Sequence, residues 1–357
     1  MSHPLFQEFK IRDLTIPNRV WVSPMCQYSA KDGLIGQWHL VHLGAFATGG
    51  AGLIFVEATG VVPEGRISIG CSGIWNDDLA EGFRPIIDFT HSMGSKIGIQ
   101  IAHAGRKAST MLPWNDHLIA NINEGGWQTV SASELPFTGM PSPKSLSSHE
   151  IADLVESFAE AADRAVKVGF DVVEIHAAHG YLLHQFLSPL TNKRTDEYGG
   201  SLEGRMRFLL EVAQKVRATI PIGMPLFVRI SATDWVEGGW DIDEAVTLCA
   251  ELKKIGVDLI DVSSGGLVSN AVIPVGPGYQ VRFAQEIREK TGIATSAVGV
   301  ITDAHQADEI VASGKADAVM LAREMLRNPR WALAASEELG IHGKWPRQFV
   351  RASKLPH

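Results

Sequence analysis

Short apolar runs of strand length recur from one end of this chain to the other, and most are followed by a longer segment with helical periodicity. Candidate strands lie at 20–25 (VWVSPM), 52–57 (GLIFVE), 97–102 (IGIQIA), 170–176 (FDVVEIH), 226–231 (LFVRIS), 257–262 (VDLIDV), 294–298 (ATSAV) and 316–321 (ADAVML), eight in all. Helical segments fit the gaps at 38–49, 77–94, 147–168, 201–219, 241–255, 279–291 and 303–314, with a last one at 329–339. Eight strands each trailed by a helix predict an α/β fold, the (β/α)8 TIM barrel. Helix starts carry the caps a backbone needs: Ser147 with Glu150 three residues on, Asp241 with Glu244, and Asp303. Gly169 and Gly256 stand where two of the helices should stop.

Two pieces fall outside the repeat. Residues 5–19 are expected to form an N-terminal hairpin closing the bottom of the barrel. Residues 103–146, rich in Gly, Pro, Ser and Trp, read as an insertion after strand 3, on the face where insertions shape pockets. No Pro/Gly/Ser linker separates two domains, and barrels routinely exceed about 250 residues, so the 357 residues are read as one domain.

Composition excludes several classes of function. Hydrophobic residues make up 45% of the chain and charged residues 20%, a globular balance. A formal net charge of −8 with no Lys/Arg run argues against nucleic acid. Cysteine occurs only at Cys26, Cys71 and Cys249, with no C-x-x-C pair, which suits a reducing cytoplasm and excludes a four-thiolate cluster. There is no secretory pattern at the start and no apolar stretch of about 18 residues, so no membrane span is expected.

Chemistry in such barrels sits at the carboxyl ends of the strands. Read in order, those ends offer Cys26 and Tyr28, Glu57 and Ala58, Gln100 and His103, His176, His179 and Tyr181, Arg229, Ser263, Gly299 and Arg323. A buried Arg229 needs an anionic partner: a reduced flavin, negative at its N1 edge, or a neighbouring carboxylate such as Asp234. Gly299 and Arg323, ahead of a short helix, occupy the corner where barrels bind phosphate through backbone N–H groups. His176 and His179 are spaced as metal ligands can be, but no third ligand follows; paired imidazoles can also polarise a carbonyl oxygen, with Tyr181 as proton donor. His39 and His42 fall in the first helix and are read as packing residues, and Cys71 and Cys249 as buried small hydrophobes.

Five stretches carry a resemblance: S-P-M-C-Q-Y at 23–28, V-E-A-T-G-V-V-P-E-G-R at 56–66, I-Q-I-A-H-A-G-R-K-A at 99–108, H-A-A-H-G-Y at 176–181 and N-K-R-T-D-E-Y-G-G-S at 192–201. Together they resemble the Old Yellow Enzyme family over essentially the whole chain, and most closely its thermophilic-like branch of xenobiotic reductase A-type and NADPH dehydrogenase enzymes. The resemblance implies that Ser23, Pro24, Met25, Cys26, Ala58, Gln100, Arg229, Ala322 and Arg323 hold FMN. It places Arg229 at the pyrimidine edge and Arg323 at the phosphate. It also implies a substrate site at Tyr28, His176, His179 and Tyr181. The 192–201 stretch is read as structural, with Arg194 and Asp196 in an ion-pair network. Where the xenobiotic reductase pattern has tryptophan after strand 7, this chain has Val298, which leaves the width of the pocket open.

The implied activity is an ene-reductase with a ping-pong course: hydride from NADPH or NADH to flavin N5, then to the β-carbon of an enone, maleimide or nitroalkene, with Tyr181 protonating the α-carbon. Nitro compounds are further expected substrates. No G-x-G-x-x-G fingerprint is present, and none is needed if the nicotinamide visits the substrate's place. Rival readings are a dienoyl-CoA reductase, a metal-dependent barrel hydrolase and a flavin-binding sensor. The lack of a cysteine cluster and the chain's end at His357 argue against the first. By the same resemblance Gln348-Phe349-Val350-Arg351 would carry Arg351 into the site of a neighbouring subunit in a homodimer or tetramer.

Overall fold

A computed structural model describes residues 3–355; the first two positions and the last two of the 344–357 tail lie outside the described residues. Eight parallel strands close into a barrel: β1 (Val20–Val22), β2 (Leu53–Gly60), β3 (Lys96–Ala102), β4 (Val172–Ala177), β5 (Leu226–Ser231), β6 (Leu259–Ser263), β7 (Ala294–Ala297) and β8 (Ala318–Leu321). Each strand pairs with its sequence neighbour, and β8 closes on β1 through Met320 opposite Trp21. This is the (β/α)8 barrel that the alternation predicts.

The expected helices are present, and the predicted pattern differs in one helix and in one strand. The 77–94 segment is split into Asp77–Glu81 and Arg84–Ser92 at Gly82 and Phe83, where Pro85 enters at the second helical position. The first strand stops at Val22 rather than 25, because Pro24 has no N–H to give the ladder. The cap residues act as their positions predict: Ser147 and Glu150 form a reciprocal capping box, and Gly169 ends that helix at φ 104°, a conformation other residues resist.

Alternation within the strands builds the interior in layers. On β5, Leu226, Val228 and Ile230 face outward into the helical shell, while Phe227, Arg229 and Ser231 face inward. Register places Phe227 beside Leu259, Arg229 beside Asp261 and Ser231 beside Ser263; on the other side His176 lies opposite Arg229. The lower layer is apolar: Trp21 stacks on Phe227 at 5.9 Å between ring centroids, and Phe55 follows at 6.0 Å. Gly98 leaves room for Phe55, since a Cβ there would meet its ring at 2.5 Å. The expected hairpin, Phe9–Ile11 with Leu14–Ile16, seals this end with Ile11 and Ile16.

The insertion after β3 is irregular apart from a two-stranded pairing of Val130–Ser131 with Lys144–Ser145. Arg106 fastens it by donating to the carbonyls of Leu135, Pro136 and Leu267. Arg194 pairs with Asp196 at 2.6 Å and donates to the Ala132 and Leu146 carbonyls. Among the described residues no helix is long and apolar enough to cross a membrane.

Candidate active site

Above the apolar layer the interior turns polar. Gln100 donates to Glu174 Oε1 at 2.8 Å, and Arg229 Nε lies 2.9 Å from Asp261 Oδ2, whose other oxygen accepts from Ser296 at 3.1 Å. The Arg229 contact is a charge pairing with poor N–H alignment, since Nε and Oδ2 lack a well-directed hydrogen bond. The sequence-level alternative for Arg229 is thus corrected in its detail: a carboxylate does meet it, but it is Asp261 on the next strand. Asp234 faces His184 at 2.9 Å and accepts from Ser188 and the Trp240 N–H. Burial, with the Asp261 charge adding to it, holds the Glu174 carboxyl well above the usual carboxylate range; burial also raises that of Asp261.

The mouth of the barrel carries the imidazoles. His176 and His179 rings meet edge to face at 5.2 Å, and Tyr181 meets His176 at 5.1 Å. His176 Nδ1 accepts from the Ala178 N–H at 3.3 Å, so its proton resides on Nε2. His179 Nε2 is 2.7 Å from Ser263 Oγ, and its backbone N–H donates to Ser231 Oγ. Burial and the Arg229 charge hold both imidazoles well below the ordinary histidine range, which keeps them neutral. Burial raises the Tyr181 phenol, which therefore stays protonated.

His179 is held in a strained turn. Its φ is +58°, and Gly266 packs so close that a Cβ there would lie 2.7 Å from the His179 Cα. Lys107 fixes the turn, donating from Nζ to the His179 carbonyl at 2.8 Å and the Gly266 carbonyl at 2.9 Å. Burial, then Arg106, pulls the Lys107 ammonium down to about 8.

The corner between β7 and β8 opens into a cleft of about 370 Å³ lined by Tyr279, Gln280, Gly299, Ala322 and Arg323. Gly299 has φ +124°, and a Cβ would meet Gln280 Nε2 at 2.9 Å, so the position excludes a side chain. The N–H groups of Gly299, Val300 and Arg323 have no acceptor among the described residues. Such unpaired donors beside an exposed arginine make an anion cradle. Beside it at the end of β1, where the Ser23 N–H donates to the Leu321 carbonyl, the buried Ser23 Oγ has no partner either, while Met25 and the buried Ala58 are apolar. Val298, buried, closes the end of β7. A phosphate-bearing group fits this donor set.

The remaining expected site residues are less uniformly placed. Tyr28, at φ +52°, stands at the outer rim with its ring edge against Trp114. Pro24 and Cys26 lie in the loop after β1. Arg351 is exposed on a short turn, Val350–Ala352, and Phe349 packs under the chain's own Arg330 at 4.5 Å. Arg351 is not among the residues that line the cleft at the β7–β8 corner.

Two groups matter more than their sequence context suggests. His39 is no mere packing residue: its Nε2 is 2.8 Å from Glu57 Oε1, while Glu57 Oε2 accepts from the Gln27 N–H at 2.8 Å. Cys71 is buried as expected, yet its sulfur lies within 4.8 Å of both the Cys26 sulfur and a Glu57 oxygen, so it is part of the rim. The register shift between Val56 and Ala58 on β2, a bulge, sets Glu57 off the regular alternation, and no residue pattern announces it. Glu174 and Asp261 are legible, since period two on VVEIH and LIDVS turns both inward.

Comparison with known proteins adds a consistent picture. A model of the NADH:flavin oxidoreductase / NADH oxidase family matches residues 4–340. An NADPH dehydrogenase of Geobacillus thermodenitrificans is 47% identical over 354 residues, covering 98% of this chain and 99% of the relative. Morphinone reductase, solved in complex with tetrahydroNAD, superposes with a TM-score of 0.79 at 29% identity over 96% of this chain and 92% of its own. An old yellow enzyme homologue from Zymomonas mobilis superposes with a TM-score of 0.78 at 27% identity, over 95% and 94%.

Proposed function

Because the chain belongs to the NADH:flavin oxidoreductase / NADH oxidase family, and is an oxidoreductase of Old Yellow Enzyme type that uses FMN with a nicotinamide hydride donor, we propose that its finer activity is reduction of activated alkenes. The observation that carries the proposal is the cluster of neutral His176, neutral His179 and protonated Tyr181 at the mouth, with His176 opposite Arg229 on the next strand. FMN supplies two-electron hydride chemistry between NAD(P)H and the alkene. Arg323 with the open N–H groups of Gly299 and Val300 would hold its phosphate, and Ser23, Pro24, Met25, Cys26, Ala58, Gln100, Arg229 and Ala322 would hold its ring system and chain.

The chain's own residues supply binding and proton delivery. His176 offers its Nε2 hydrogen to the carbonyl or nitro oxygen of the alkene; His179 offers its own by exchanging the Ser263 bond. Neutral donors suit an oxygen that gains charge only as reaction proceeds, because they stabilise the enolate without binding the ground state as an ion pair would. Lys107 and Gly266 keep the His179 turn from relaxing. Tyr181, protonated throughout the neutral range, delivers the proton to the α-carbon. Tyr28 closes the outer side of the substrate space, and Arg351 of a neighbouring copy would complete it in a homodimer or tetramer.

Stopped-flow measurement of the two half-reactions in Tyr181→Phe tests the assignment. Alkene reduction should slow by roughly 100-fold or more while reduction of the enzyme by NADPH stays within a few-fold of wild type. Equal slowing of both steps would make Tyr181 a ligand-positioning group.

A further inference from the structure

Beyond the place of Cys26 among the cofactor-holding residues, the thiols of Cys26 and Cys71 carry no bond-making step above, yet they are held together at the barrel mouth. Cys26 lies in the loop after β1, and Cys71 lies in the loop beyond β2. Their sulfur atoms and one Glu57 oxygen all fall within 4.8 Å of one another. Glu57 is not free to complete a three-ligand metal site. Both its oxygens are already taken, one by His39 Nε2 and one by the Gln27 N–H, so the carboxylate acts as a strut that pins the Cys26 loop against β2. The strut leaves the two sulfurs facing each other on segments without helix or strand, where rotation about the side chains and a small loop shift bring them into bonding range. Cys71 is 0% exposed, whereas Cys26 is only half-buried, so a small oxidant that enters meets Cys26 first. The third thiol, Cys249, is buried inside the helix Ile242–Ile255 and belongs to no such group.

We propose that Cys26 and Cys71 are a redox-linked thiol pair that closes into an intrachain disulfide when a hydroperoxide enters the mouth. The Cys26 sulfur attacks the outer peroxide oxygen, the O–O bond breaks, and water or the alcohol leaves, giving Cys26 sulfenic acid. The Cys71 sulfur then attacks the Cys26 sulfur, the S–O bond breaks, and a second water leaves with the remaining thiol proton. The two thiols lose two electrons and the peroxide gains them. Hydrogen bonding to Cys71, burial and the Glu57 charge all push the Cys26 thiol up, which keeps the reduced pair protonated and its oxidation slow at neutral pH. Where the flavin reading holds, closure also removes the Cys26 S–H donor from beside the bound ring system. The thiol chemistry does not depend on that reading, and its test reads thiols instead of turnover.

The purified full-length protein, reduced and freed of reductant, is incubated with excess hydrogen peroxide, denatured in N-ethylmaleimide, and analysed by intact mass and peptide mapping. Of its three cysteines, Cys26 and Cys71 should escape alkylation and appear in one cross-linked peptide pair, and dithiothreitol should restore all three. Cys71→Ser should abolish the cross-link and leave Cys26 as an oxygenated acid, while Cys249→Ala should retain the cross-link. Mapping of the wild-type protein decides the matter even if a variant folds poorly. Three alkylatable cysteines after peroxide, an oxygenated Cys26 beside an alkylatable Cys71, or a cross-link to Cys249 would each overturn the proposal.

Discussion

The lower and upper halves of the barrel interior are built by the same strands yet obey opposite rules. Below, Trp21, Phe55, Val172, Phe227 and Leu259 fill the space with apolar rings and side chains, and the hairpin seals it. Two residues further along the same strands, the inward positions are Glu174, Arg229 and Asp261, and two further still they are His176, Ser231 and Ser263. One half is packed to be stable; the other is charged, strained at His179 and lined by unpaired donors at Gly299 and Ser23. The difference teaches where this fold spends its stability, since natural sites break local packing rules and the rest of the structure compensates.

Paired substitutions break the comparison most sharply. Phe227→Ala should cost about 3–5 kcal/mol of stability through the cavity it leaves. Asp261→Asn should cost a similar amount, about 3–5 kcal/mol, because Arg229 is left buried without its counter-charge. The two should part company in the flavin. Removing the Asp261 charge should move the reduction potential upward, as reduced flavin is the more negative form, whereas Phe227→Ala should leave it near the wild-type value. Urea unfolding with spectroelectrochemical titration checks both, and equal potentials in the two variants would erase the division between layers.

Acid should attack the upper half, with a further contribution from His42 on the helix Gln37–Thr48, which burial and then His39 also hold at about 4. His103 is depressed to about 4 by burial, and His176 and His179 lie well below their ordinary range, so all three are neutral in the folded protein where the unfolded chain would bind protons. The stability these imidazoles contribute is therefore fully present above about pH 6.5 and falls as pH drops from there toward 4; His103 by itself accounts for about 3 kcal/mol of that fall. Thermal melts across this window should slope downward with acid, and His103→Asn should flatten the slope. A melt independent of pH down to 4 would mean that these imidazoles are not desolvated.

The alternation of LFVRIS, VVEIH and LIDVS makes both layers legible in the amino-acid order itself, because period two is a property of strands. Helix starts at Ser147, Asp241 and Asp303 are equally plain, each side chain accepting from the N–H three residues on. What stays hidden depends on distances between segments remote in sequence: Arg229 choosing Asp261 over Asp234, His39 reaching Glu57, Cys71 meeting Cys26. The bulge at Glu57 and the positive φ at His179 are hidden too, as neither residue type advertises such a backbone.

The smallest expected effect lies outside both layers. Arg351 is exposed and does not line the cleft of its own chain, so, if a neighbouring copy's Arg351 completes the substrate space, Arg351→Ala should raise the apparent KM for alkenes several-fold, about 1 kcal/mol, without releasing FMN. Native mass spectrometry should show a dimer or tetramer; a monomer with full activity would confine the active site to one chain.

Anaerobic titration tests the central claim, that the upper layer forms one pocket serving both hydride donor and alkene. Purified protein should carry about one FMN per chain, lose its yellow absorbance on addition of NADPH, and regain it stoichiometrically with cyclohexenone or a maleimide, each reagent competing with the other at high concentration. Bleaching by NADPH that no activated alkene reverses, or alkene reduction that excess NADPH does not inhibit, would contradict the single-pocket account.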